Sequence, residues 1–132
     1  MTNREKGEEL IARAEGIIER EIAGAFEDED FNLVVRRAQE AVELTLKGAL
    51  TILGIEYPKA HDVSRVFRDV VQRKAGGPTR DVLDQISSIS ARLSEDRTPS
   101  FYGERSYGRA EAEEAYQGAR FVYDTVNELL NR

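Results

Sequence analysis

Apolar residues return at every third or fourth position through most of this chain, and no segment alternates with a period of two for long enough to make a strand. Spacings of three and four put side chains on one face of an α-helix, so the pattern restricts the chain to helices that must each bury one stripe. The first stripe is Leu10, Ala14, Ile17, Ile18, Ile22 and Phe26, preceded by Thr2 and Glu5 at the spacing of a capping box. The acidic cluster from Glu27 to Asp30 then supplies N-caps for a second helix, whose stripe runs from Phe31 through Val34, Ala38, Val42 and Ala49 to Leu53 and ends near Gly54. After a connection holding Pro58, residues Val63, Val66, Phe67, Val70 and Val71 mark a third helix, stopped by Gly76, Gly77 and Pro78. A fourth, shorter helix starts at Thr79 and carries Val82, Leu83, Ile86, Ile89 and Leu93. Glu95 to Ser106 reads as a loop because it contains Pro99 and Gly103. The last helix covers about Tyr107 to Leu130 along Ala112, Ala115, Ala119, Tyr123 and Val126. The expected architecture is all-α, an up-and-down antiparallel bundle of four to five helices, with residues 1–132 forming a single domain.

Composition narrows the function classes. No apolar run approaches the roughly 20 residues that cross a bilayer, and the first segment lacks the apolar stretch of a signal peptide, so a cytoplasmic protein without membrane contact is expected. Cysteine is absent and His61 is the single histidine, which removes disulfides, thiolate metal sites and any multi-histidine site within one protomer. Gly76-Gly77-Pro78 lacks the following Lys-Ser or Lys-Thr of a phosphate-cradling loop and reads as a turn. Neither a cofactor nor a metal is implied. The formal charge of −6 opposes broad adhesion to nucleic acid while leaving room for a local basic pocket.

Three blocks carry a family resemblance. The segment from Gln39 to Leu50 sets a glutamine, glutamates and a lysine into an alanine- and leucine-rich helix. Gly54 is followed by His61-Asp62-Val63, and Phe101-Tyr102 and Tyr107 precede Ala112, Ala115 and Ala119. In this order they resemble the second helix, the His-Asp-Leu entry to the third helix, and the aromatic loop and alanine-rich last helix of HEPN domains, over roughly Phe31 to Val126. The resemblance implies a helical bundle, commonly a homodimer. It also implies links to nucleotide binding, to RNA cleavage in toxin members, and to partnership with small nucleotidyltransferases. The ribonuclease members carry an arginine separated from a histidine by four to six intervening residues. Here the positions that would hold that arginine before His61 are Gly54, Ile55 and Glu56, so the usual dyad cannot be placed, and an enzyme is less expected than a binding protein.

The candidate ligand-binding residues are Lys47, His61, Asp62, Arg97, Tyr102, Arg105 and Tyr107, expected around one cleft, with no catalytic residue assigned. Glu43 and Lys47, four apart, are by default a helix-stabilising ion pair; the functional reading makes Lys47 a phosphate-binding cation. His61-Asp62 reads first as a helix-start arrangement with Asp62 accepting backbone N–H bonds, and His61 is otherwise the best single site residue because imidazole titrates near neutrality. The stretch from Arg97 to Tyr107 interleaves aromatics with arginines, able to stack a base and hold a phosphate, and serves equally as a cap on the bundle end. Arg36 and Arg37 read as partly a solvated face. Three functions stay open: a non-catalytic protein binding a nucleotide or RNA-like ligand or docking a nucleotidyltransferase; a ribonuclease or toxin-like enzyme using His61 in a non-standard or cross-dimer arrangement; and a pure protein-interaction module.

Overall fold

The computed structural model describes residues 1–74 and 76–131. Among these residues the fold is made of five helices. α1 runs through residues 3–27 as an α-helical stretch Asn3–Gly16, a π-helical turn Ile17–Glu21 and a last α-helical stretch Ile22–Glu27. It is followed by α2 (Phe31–Ile52), α3 (Ser64–Gln72), α4 (Arg80–Tyr102) and α5 (Arg109–Leu130). Strands are absent among the described residues, as the periodicity requires.

Local chemistry sets the helix ends. Thr2 and Glu5 form the capping box at the start of α1, Asp30 accepts from the Leu33 amide at 3.2 Å, and Thr79 accepts from the Val82 amide at 3.3 Å. Each satisfies an amide that the helix itself leaves without a partner.

α2 is the hub. It packs against α1, α4 and α5, whereas α3 lies mainly on α4 and α4 touches α5 only lightly. This position explains why α2 buries Val34, Val35, Ala38, Ala41, Val42, Leu46, Ala49 and Leu50, more than one stripe's width. Phe67, Leu83, Ile86, Val122 and Val126 close over it from the other helices into one continuous core. Each large side chain fully buried there contributes about 1.5–3 kcal/mol relative to exposure.

One sequence expectation is overturned. Glu95 to Tyr102 is not loop: α4 continues through Pro99 to Tyr102 and ends at Gly103, whose φ of 70° suits glycine. Proline removes one helical N–H donor there, yet the last turn is pinned from outside. Asn32 on α2 donates to the carbonyls of Ser100 at 3.3 Å and Arg105 at 2.9 Å, and its own oxygen accepts from the Tyr107 amide at 2.9 Å. Of the stretch from Glu95 to Gly108, only the short connection from Gly103 to Gly108 is non-helical.

Candidate functional site

On α2, Arg36, Gln39, Glu43 and Lys47 follow one another at spacings of three, four and four, so they share a face. That face lies beside α4 and the segment entering α3, and a chain of hydrogen bonds runs along it. Lys47 Nζ donates to Glu43 Oε2 at 2.8 Å, Gln39 Nε2 donates to Glu43 Oε1 at 2.9 Å, and His61 Nδ1 stands 3.0 Å from the same Oε1. From α4, an Arg97 guanidinium N–H donates to Gln39 Oε1 at 2.6 Å. Gln39, only 1% exposed, is therefore the buried link between Glu43 and Arg97.

Burial of the Glu43 carboxylate acts to raise its pKa. Hydrogen bonds from Lys47, Gln39 and His61, together with the Lys47 charge, outweigh that and hold the group below its ordinary value of 4.5. Glu43 thus stays ionised and balances Lys47. It also fixes the imidazole through Nδ1, while the His61 side chain is 55% exposed. Lys47 lies 5.0 Å from the Tyr57 ring centroid as well, so its ammonium is held on two sides.

Beyond Arg97 the character of the face changes. Arg36 lies over the Phe101 ring at 3.9 Å, Phe101 meets Tyr102 edge to face at 4.7 Å, and these residues with Arg97 and Thr98 surround a depression of about 190 Å³. Phe101 is 50% and Tyr102 71% exposed. Among the described residues, neither Arg36 nor Arg97 is paired with a carboxylate.

The seven residues singled out in the sequence do not share one cleft. Lys47, His61 and Arg97 join the chain through Glu43 and Gln39, and Tyr102 borders the depression beyond it. Asp62 is occupied within the fold: its Oδ1 accepts from the Ser64 amide at 3.0 Å, the Ser64 hydroxyl at 2.6 Å and the Ser90 hydroxyl at 2.8 Å, tying the start of α3 to α4. Burial acts to raise the Asp62 pKa and these hydrogen bonds prevail, holding it below its ordinary 3.8. Arg105 and Tyr107 stand on the other flank of α4, in the groove between α4 and α5. Asp96 and Arg97, adjacent on α4, point about 100° apart, so Asp96 borders this groove while Arg97 reaches Gln39 on α2.

With this geometry in view, the comparison with known families is decisive. The family model for the HEPN domain matches residues 8–129, nearly the whole chain. The chain belongs to the HEPN family. Comparison with curated proteins and with solved structures gives no match. The helical bundle agrees with the HEPN assignment. Within this HEPN chain, sequence reasoning passed over Glu43, Gln39 and Arg36 as site members, although their helical spacing with Lys47 was the available signal. The Arg36–Phe101 contact had no local signal, since the two residues come from different helices.

Proposed function

We propose that this HEPN protein is a non-catalytic binding protein for a nucleotide or RNA-like ligand, held at the depression of Arg36, Arg97, Phe101 and Tyr102. One observation carries the reading: two guanidiniums without carboxylate partners stand beside two exposed aromatic rings, in a chain of net charge −6. An arginine pair suits a phosphate through directed N–H bonds, and an exposed ring offers a face on which any base can stack. Lys47 and His61 take a supporting part, because Glu43 already neutralises the lysine and holds the imidazole.

The test is a thermal-shift titration with mononucleotides and short single-stranded RNAs, since a ligand that binds the folded state alone raises its apparent stability. The expected result is a concentration-dependent rise, lost in Arg97→Ala and weakened in Tyr102→Ala by about 1–3 kcal/mol, the worth of one stacked base. No rise with any ligand overturns the proposal and leaves the exposed arginine–aromatic surface to a protein partner such as a nucleotidyltransferase, which co-purification would reveal.

A second reading follows from the Glu43–His61 contact. A carboxylate that holds Nδ1–H leaves Nε2 as a proton acceptor, the arrangement of a general base, and Arg97 is linked to the same carboxylate through Gln39. In this reading the protein cleaves RNA, and turnover by wild type that disappears in His61→Ala favours it. Absence of turnover by wild type over a broad pH range rejects it.

A further inference from the structure

Arg105 and Tyr107, read in the sequence for phosphate and base binding, face a setting of the opposite charge. Between α4 and α5 lies a groove of about 370 Å³, in the range of small-molecule sites. Its floor is Val35, Ile89, Leu93, Ala115 and Gly118. Gly118 lets Ile89 lie against the α5 backbone at this floor, since a Cβ at position 118 would stand 3.0 Å from the Ile89 side chain. Four carboxylates border the groove, Glu95, Asp96, Glu111 and Glu114, against two guanidiniums, Arg92 and Arg105. Both guanidiniums are already engaged, Arg92 with Glu114 and Arg105 with Glu111 and, at 3.8 Å, Asp96.

One end of the groove already holds a cation supplied by the chain. The Arg105 guanidinium lies over the Tyr107 ring at 4.6 Å with Asp96 and Glu111 beside it, and the Tyr107 hydroxyl donates to Asp96 at 2.8 Å. An aromatic face flanked by carboxylates is a cation-recognising arrangement. Among the described residues no cluster of histidine, cysteine, aspartate or glutamate could hold a metal ion, and the floor is apolar.

We propose that the α4–α5 groove is a binding site for an organic cation with an apolar body, separate from the arginine–aromatic face. The apolar part covers the floor, and the ammonium or amidinium group lies among the surplus carboxylates. The bordering ion pairs are exposed and weak, so a ligand that rearranges them loses little.

The test uses the full chain and methyl-resolved NMR, with 2-phenylethylamine as the probe and phenylacetate as a control of similar body and opposite charge. The amine is expected to move the Ile89, Leu93 and Ala115 methyl signals saturably while phenylacetate leaves them in place. Glu95→Gln and Ser88→Lys alter exposed residues at the rim and spare the core. The first should weaken the amine roughly two- to fivefold, the range for one exposed charge pair, and the second should weaken it and admit phenylacetate. Equal binding of both probes, perturbation confined to methyls outside the groove, or no saturable shift at millimolar amine overturns the proposal.

Discussion

At the scale of single residues, Glu43 draws the most interactions on the α2 face, and its ionisation gives a pH signature. A carboxyl whose pKa is lower in the folded state than in the unfolded chain contributes stability above the unfolded value, and that contribution is lost as pH falls through the folded one. For Glu43 the loss begins near the ordinary value of 4.5 and continues below it. Glu43→Gln should flatten the acid limb of a chemical-denaturation profile taken from pH 6 to pH 3, with reduced stability at pH 7. An unchanged acid limb would mean that the contacts to Lys47, Gln39 and His61 carry no net free energy. Tyr107 gives the opposite sign. Burial and the Asp96 hydrogen bond push its pKa up to about 12 from 10.0, so its contribution is complete below pH 10 and is lost as pH rises through about 12. Tyr107→Phe removes the titrating hydroxyl and should make the decline in melting temperature between pH 10 and pH 12 shallower, leaving the parallel contribution of Tyr123, also pushed up to about 12.

At the scale of elements, the glycines Gly7 and Gly48 mark a close crossing of α1 and α2. A Cβ on Gly48 would lie 2.8 Å from the Gly7 carbonyl oxygen and 2.7 Å from Ile11 Cγ1, and a Cβ on Gly7 would lie 2.5 Å from the Gly48 carbonyl. The helices meet backbone to backbone there. Gly48→Ala gains helix propensity, by up to about 1 kcal/mol, but forces the helices apart, at about 1–3 kcal/mol typical of overpacking. The clash involves backbone that cannot rotate away, so the expected outcome in urea unfolding is a net loss of stability; a gain would show that α1 can slide. The extension of α4 teaches the complementary lesson. Pro99 and Gly103 are breaker residues, and the eight residues from Glu95 to Tyr102 read as loop by composition. Asn32, more than sixty positions away, holds the last turn through the Ser100 carbonyl and the following connection through the Arg105 carbonyl, contacts that no window of local sequence contains.

At the scale of the whole molecule, the core accounts for most large apolar residues, and Phe101 and Tyr102 remain uncovered together at the end of α4. Two exposed rings side by side are surface that a second copy could cover, and a homodimer through them would compete with a ligand at the depression. Light scattering at micromolar concentration should give twice the chain mass of 14.9 kDa, and Tyr102→Glu should return it to the monomer. A monomeric wild type would remove the dimer and leave the depression open to solvent in each copy. No helix among the described residues is long and apolar enough to cross a membrane.

Helix number, the buried stripes and the capping residues were determined by the sequence, because each depends on neighbours within one or two turns: Thr2 with Glu5, Asp30 with Leu33, and the apolar spacing of α2. The order of three motif blocks also led to the HEPN family, now matched over residues 8–129. Which residues face each other was decided only in the tertiary structure. Gln39 joins Arg97 to Glu43 across 58 positions, His61 reaches Glu43 across 18, and Arg105, in the connection beyond the end of α4, pairs with Asp96 and Glu111 on the flank away from Arg97. Helical periodicity gives each side chain a direction relative to its own axis, but it does not set the rotation of one helix against another. That rotation is fixed when the stripes of α1, α4 and α5 close together around α2.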